Sequence, residues 1–133
     1  MSSLRFIGCV LAAALLTASF PSQAQNSQPS QSGGACFYFN QFESWRAPDD
    51  KTILIRVGLS RFYRLDLGGR CGGITRASSH LVNRVQGTTL ICRALDWNLA
   101  VVDSAGFEQR CIVKSMTNLN PDEVASIPDK FRP

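Results

Sequence analysis

Cysteines are the residues of this sequence whose type and spacing point most directly to a chemistry. Four of them follow the apolar N-terminal segment, at Cys36, Cys71, Cys92 and Cys111. No two lie in a Cys-x-x-Cys spacing and the chain has one histidine, so neither a zinc site nor a redox-active dithiol is predicted. An even number of cysteines in a small domain predicts two structural disulfides, for which three pairings are possible.

A hydrolytic site is the next chemistry to consider, because Ser78-Ser79-His80 places hydroxyls beside the one imidazole of the chain. Sequence neighbours rarely form such a pair, since a nucleophile and its base come from distant segments. We therefore interpret His80 as a surface or capping residue. Among the carboxylates, Asp96 is the best candidate for acid–base chemistry, and its alternative role is a hydrogen-bond acceptor at a strand start. A small secreted, hydrolase-like enzyme using Asp96 and His80 is the alternative function.

The glycine-rich stretch from Gly68 to Gly73 looks like a phosphate-binding loop only superficially. It lacks the Gly-Lys-Ser/Thr ending and the following helix that such a loop needs. The glycines instead predict a tight turn around a disulfide. Neither a cofactor nor a metal ion is predicted.

Basic residues are concentrated in the middle of the chain. Between Arg46 and Arg93 there are nine basic residues and three acidic ones. Arg56, Arg61, Phe62 and Arg64 predict a basic and aromatic face that binds an acidic envelope component or an acidic protein. The competing interpretation is the ordinary solvated face of a hairpin. Nucleic acid is not predicted as a partner, because the chain carries an export signal.

That signal consists of Arg5, an apolar run from Phe6 to Phe20, and the small residues of Ser22-Gln23-Ala24. Cleavage is predicted after Ala24, which leaves the 109 residues from Gln25 onward. The apolar run is shorter than the roughly 20 residues of a transmembrane helix. Lipidation at Cys9 is disfavoured because Cys9 precedes most of that run. The expected product is soluble and either periplasmic or secreted.

The chain divides into three parts on this interpretation: a signal peptide over 1–24, a disordered polar spacer over 25–34, and one domain over 35–133.

Apolar and polar residues alternate over Ile53–Val57 and again over Phe62–Leu67, which predicts a hairpin with its turn at Gly58–Arg61. Asn120 before Pro121 predicts a helix start, while Thr75–Val85 is ambiguous. Further strands are predicted at Thr88–Cys92, Asn98–Val102 and from Phe107 or Gln109 to Met116. The predicted fold is mainly β, a small antiparallel sheet or barrel-like domain with a short C-terminal helix and two disulfides.

The order of several short motifs resembles a family of exported bacterial proteins, DUF6491, a domain of unknown function. In the first half the motifs are Phe42-x-x-Trp45, Pro48-Asp49-Asp50, Tyr63-Arg64-Leu65-Asp66-Leu67 and Cys71-x-x-Ile74. In the second half they are Leu95-Asp96, Cys111-Ile112-Val113 and Leu119-x-Pro121. The resemblance implies export, small size and paired cysteines, with no assigned activity. It also implies Cys71–Cys111 as one pair, which leaves Cys36–Cys92 as the other. The preferred expectation is a non-enzymatic, envelope-associated or secreted protein that binds a partner through the basic and aromatic face.

Overall fold

The computed structural model describes residues 36–133. The predicted signal peptide, its cleavage site after Ala24 and the polar spacer lie outside the described residues. Within 36–133, nine strands form three antiparallel sheets, and none of these sheets closes into a barrel. The predicted mainly β fold is confirmed. The strands are β1 Phe37–Tyr38, β2 Phe42–Asp49, β3 Thr52–Val57, β4 Arg61–Leu67, β5 His80–Asn83, β6 Leu90–Ile91, β7 Leu99–Val102, β8 Glu108–Cys111 and β9 Val113–Leu119.

The largest sheet has the strand order β2-β3-β4-β9. Its centre is the predicted hairpin of β3 and β4, in which Ile53 lies opposite Leu65 and Ile55 opposite Tyr63. These four side chains are almost completely buried, because alternation sends every second residue to the same face. Gly58 begins the turn with a φ of 59°, a left-handed conformation that glycine adopts without strain.

A core forms where this face meets a second sheet of order β5-β7-β8. Leu99 and Val101 of β7 belong to it, and Phe37 of β1 enters it from the small β1–β6 sheet. The Phe37 ring lies 5.2 Å from the ring of Tyr63 and 6.1 Å from that of Trp97. The aromatic side chains thus join the three sheets around one apolar cluster.

The chain changes sheets at Ile112, where a single strand from Phe107 or Gln109 to Met116 was predicted. That prediction is wrong in one respect: β8 pairs with β7, whereas β9 pairs with β4. Ile112, between the two strands, is 77% exposed. Its neighbours Cys111 and Val113 are both buried, although all three residues form one apolar run in the sequence. The pattern therefore carried no signal for the break.

The ambiguous segment from residue 75 to 85 contains the short strand β5 and turns rather than a helix. At the other end of the chain, the predicted helix start is present in α1, Pro121–Ala125. The Asn120 side chain accepts a hydrogen bond from the Glu123 N–H at 2.9 Å, and Glu123 accepts one from the Asn120 N–H at 2.8 Å. This reciprocal cap explains why a helix begins there. None of the helices within 36–133 has the length and apolar content needed to span a bilayer.

Two disulfides connect the elements. Cys36–Cys92 joins the ends of β1 and β6 with a Cα–Cα distance of 4.3 Å, and Cys71–Cys111 joins the segment after β4 to β8 with a Cα–Cα distance of 5.5 Å. Both members of the second pair are buried. The predicted number of two disulfides is confirmed, and the pairs are those that the family resemblance implies.

Candidate anion-binding groove

The residues of the predicted basic and aromatic face do not share one face. Arg56 lies opposite Phe62 in the register, on the side of the sheet away from the core, and Arg64 follows on the same side. Arg61 lies opposite Val57, so it belongs to the other side. Phe62 lines a mostly apolar cavity of about 530 Å³ between β4, β9 and α1.

The three arginines also differ in their partners. The Nε of Arg64 lies 3.1 Å from a carboxylate oxygen of Asp66. Arg61 donates to the side-chain oxygen of Gln41 at 3.2 Å, and the Nε of Arg56 is buried without a hydrogen-bond partner among the described residues. These arginines therefore do not form the single set of free cations that the sequence pattern predicts.

The candidate catalytic pair is also separated. His80 is exposed and lies opposite Val102, the last residue of β7. Asp96 lies in a 3-10 turn that precedes Leu99, the first residue of β7. The length of this strand alone is about 10 Å, well beyond hydrogen-bond reach. The structure does not bring these two groups into one site.

Asp96 has a structural environment instead. One carboxylate oxygen accepts hydrogen bonds from the N–H groups of Cys92 at 2.8 Å and Arg93 at 3.0 Å. The bond from the Cys92 N–H is the largest influence that lowers the pKa of Asp96, and the bonds and charge of Arg93 lower it further. A carboxylate held ionised in this way stabilises the turn between β6 and β7, as its alternative role predicts.

A different set of cations does converge, in a groove of about 580 Å³ that we call the β2 groove. The lining comes from three parts of the chain: β2, the turns between β4 and β5, and the C-terminal segment. The lining residues are Ser44, Trp45, Arg46, Ala47, Ile74, Thr75, Arg76, Ala77, Ser79, Lys130 and Phe131. Three of these side chains are cationic, and none of the eleven is acidic.

The groove cations are free of carboxylate partners within residues 36–133. Arg46 donates to the carbonyl oxygen of Trp45 at 2.8 Å, and the Nζ of Lys130 lies 4.7 Å from the ring centroid of Phe131. Arg76 is exposed and forms no ion pair in the described part of the chain. Elsewhere, by contrast, five arginines are paired with acids: Arg64, Arg70, Arg84, Arg93 and Arg132. Lys51, Arg56, Arg61, Arg110 and Lys114 also form no ion pair within residues 36–133, but they do not line the groove. The groove therefore brings together three cations that no described carboxylate neutralises.

The wall that carries Arg76 is held in place by its neighbours. Ser79 is buried and donates to the carbonyl oxygen of Gly73 at 2.7 Å, which closes the turn. Gly73 has a φ of 79°, and Ile74 is buried in the core. The Cys71–Cys111 disulfide fixes the start of the same segment. Arg76 therefore projects from a tethered turn rather than from a free loop.

Sequence patterns do not bring these three cations together, because positions 46, 76 and 130 are far apart along the chain. The surplus of arginine in the middle of the chain was the available signal, but it could not show which arginines meet. Lys130 lies outside that region and carried no signal. No group of three or more His, Cys, Asp and Glu side chains suited to a metal ion occurs within residues 36–133.

Comparison with known proteins gives a family but no activity. The family model DUF6491, described as a family of unknown function, matches residues 2–130. No curated protein and no solved structure matches the chain.

Proposed function

Because this chain belongs to DUF6491, a family of unknown function, we propose a function from the β2 groove: the protein is a non-enzymatic binding protein for a carboxylate-bearing acidic partner. One observation carries the proposal. Arg46, Arg76 and Lys130 converge on one groove that contains no acidic side chain. The predicted function of binding through a basic and aromatic surface is retained, but its residues change.

The chemistry of the lining supports this kind of ligand. Guanidinium groups donate paired hydrogen bonds to carboxylates, and the ammonium of Lys130 adds a third positive charge. Trp45 and Phe131 supply apolar surface beside these charges. The volume of about 580 Å³ lies within the usual range for ligand sites.

The proposal includes a compartment. Two disulfides are typical of proteins that work outside the reducing cytoplasm, and the N-terminal sequence has the parts of a signal peptide. We place the protein in the periplasm or the medium, where its partner is an acidic envelope component or an acidic protein.

Titration of a fluorescein-labelled decaglutamate peptide, followed by fluorescence anisotropy, tests the binding function. We expect binding that weakens as salt is raised. The triple variant Arg46→Gln, Arg76→Gln, Lys130→Gln should bind about tenfold more weakly, because each exposed ion pair contributes up to about 1 kcal/mol.

The matched control is Lys51→Gln, Arg110→Gln, Lys114→Gln, which removes the same charge from exposed positions outside the groove. This variant should bind within about threefold of the unmodified protein, since net charge alone acts weakly at a distance. Equal losses of affinity in the two variants would show that the overall charge binds the peptide, and would refute the groove as the binding site.

A further inference from the structure

The β2 groove runs along the free edge of a sheet. In the order β2-β3-β4-β9, β2 is an outer strand and pairs only with β3. No backbone hydrogen bond links residues 43–47 to any described element other than β3. One edge of β2 therefore has no partner strand, and its backbone groups can pair with an added strand. The carbonyl oxygen of Trp45 also accepts a hydrogen bond from the Arg46 side chain.

The lining shows that this edge opens into the groove. Four consecutive β2 residues line it, from Ser44 to Ala47. Ser44 and Arg46 lie opposite Arg56 and Leu54, away from the core, whereas Trp45 and Ala47 pack against the core. Consecutive residues on opposite faces can line one groove only where it follows the strand edge.

We propose that the ligand is an extended acidic peptide that adds to β2 as a further strand. This inference rests on the proposed function and specifies its partner. Backbone hydrogen bonds to β2 would supply affinity, and alternate side chains would reach the two walls. Arg76 belongs to the turns after β4 and Lys130 to the C-terminal segment, so carboxylates of the peptide meet cations from two further parts of the chain besides Arg46 of β2.

The length of the paired segment is limited. Register shifts interrupt the β2–β3 pairing between Phe42 and Ser44 and between Arg46 and Asp49, and Pro48 cannot donate a hydrogen bond. The accessible edge from Ser44 to Ala47 spans about 10 Å. Such an edge accommodates about four peptide residues.

Charge decides between the possible occupants of this edge. A second copy of the chain would bring another Arg46, Arg76 and Lys130 close to the first three. Like charges facing each other across paired strands are destabilising, so β2–β2 association is opposed. An acidic peptide has the opposite sign, and it is the occupant that the groove favours.

Backbone methylation of the ligand separates strand addition from attraction by charge alone. The probe is a fluorescein-labelled decapeptide of alternating Glu and Val, measured by anisotropy. Successive residues of a strand direct their N–H groups to opposite edges, so methylating every Glu nitrogen blocks one edge and methylating every nitrogen blocks both. The peptide methylated on every Glu nitrogen, which we call the one-edge methylated peptide, should bind within about threefold of the unmethylated parent. The peptide methylated on every nitrogen, which we call the two-edge methylated peptide, should bind about tenfold more weakly.

Hydrogen exchange of the full chain provides the second readout. Addition of the parent peptide should slow amide exchange within Phe42–Asp49, whereas the two-edge methylated peptide should not. One outcome is that the three alternating peptides bind equally while the triple variant at Arg46, Arg76 and Lys130 still binds decaglutamate more weakly than the unmodified protein. That result would refute strand addition and leave the proposed function intact. Absence of binding by every peptide, decaglutamate included, would refute both. Dimerisation without peptide that protects the same amides would assign the edge to a second copy and overturn the inference.

Discussion

At the scale of single residues, Asp96 is the side chain whose role in the structure differs most from the role that the sequence suggests. In the sequence it is the best candidate for acid–base chemistry among the carboxylates, yet both of its main hydrogen bonds come from the backbone. These bonds hold the chain as it leaves β6 and turns towards β7. The role of Asp96 is to position backbone.

We expect Asp96→Ala to lower the free energy of unfolding by about 1–3 kcal/mol at neutral pH, because two N–H groups lose a charged acceptor. Asp96→Asn should cost less, since an amide oxygen accepts the same bonds. The pKa of Asp96 is lowered in the folded protein, so its stabilising effect is complete above the unfolded value of about 3.9. The effect is lost as the pH falls through the folded pKa. Urea denaturation at several pH values measures both changes.

Asp122→Ala is the control, because Asp122 is an exposed carboxylate in the first turn of α1. It should change the unfolding free energy by about 0.5 kcal/mol or less. A loss for Asp96→Ala that stayed constant from neutral pH to the lowest pH at which the protein folds would mean that packing, rather than the carboxylate charge, accounts for it.

At the scale of elements, sequence patterns predicted what is local. The β3–β4 hairpin follows from a two-residue period, and the start of α1 follows from Asn120 and Pro121. The break at Ile112 was missed because Cys111-Ile112-Val113 is a continuous apolar run that is typical of an unbroken strand. The β2 groove was missed for another reason: its walls come from β2, the turns after β4 and the C-terminal segment, and only tertiary packing brings these together.

The two disulfides permit a prediction at this scale. They close loops with sequence separations of 56 and 40, so restriction of the unfolded chain contributes nearly the same free energy for both, about 4 kcal/mol. Their surroundings differ, because Cys71 and Cys111 are buried in the core whereas Cys36 is exposed. Replacing Cys71 and Cys111 by alanine should therefore cost more than replacing Cys36 and Cys92, by roughly 1–2 kcal/mol.

Thermal unfolding of the two double variants measures this difference directly. Each variant serves as the control for the other, since both lose one bridge and two sulfur atoms. Equal losses would indicate that loop closure alone accounts for the stability. A larger loss for Cys36 and Cys92 would show that the small β1–β6 sheet, rather than the core, limits the stability of the fold.

At the scale of the whole molecule, the stability of the fold and the proposed binding site both depend on the Cys71–Cys111 disulfide. The disulfide at Cys71 anchors the turn that carries Arg76, so an oxidising environment also maintains one wall of the β2 groove. A reduced protein should therefore be both less stable and a weaker binder of acidic peptides. Covalent structure and the proposed function are coupled through this segment.

Expression of the full chain in a bacterial host tests whether the protein is exported, cleaved and oxidised. We expect the exported protein to begin at Gln25 and to have a mass four hydrogens below that of the fully reduced chain, because cleavage follows Ala24 and both bridges form. Ala24→Asp is the control, since a charged residue at the cleavage site should leave the leader attached. Intact-mass spectrometry of the periplasm and the medium measures both forms. A lipid-modified product beginning at Cys9 would contradict cleavage after Ala24. An unprocessed and reduced chain in the cytoplasm would contradict the proposed location and, with it, the source of an extracytoplasmic partner.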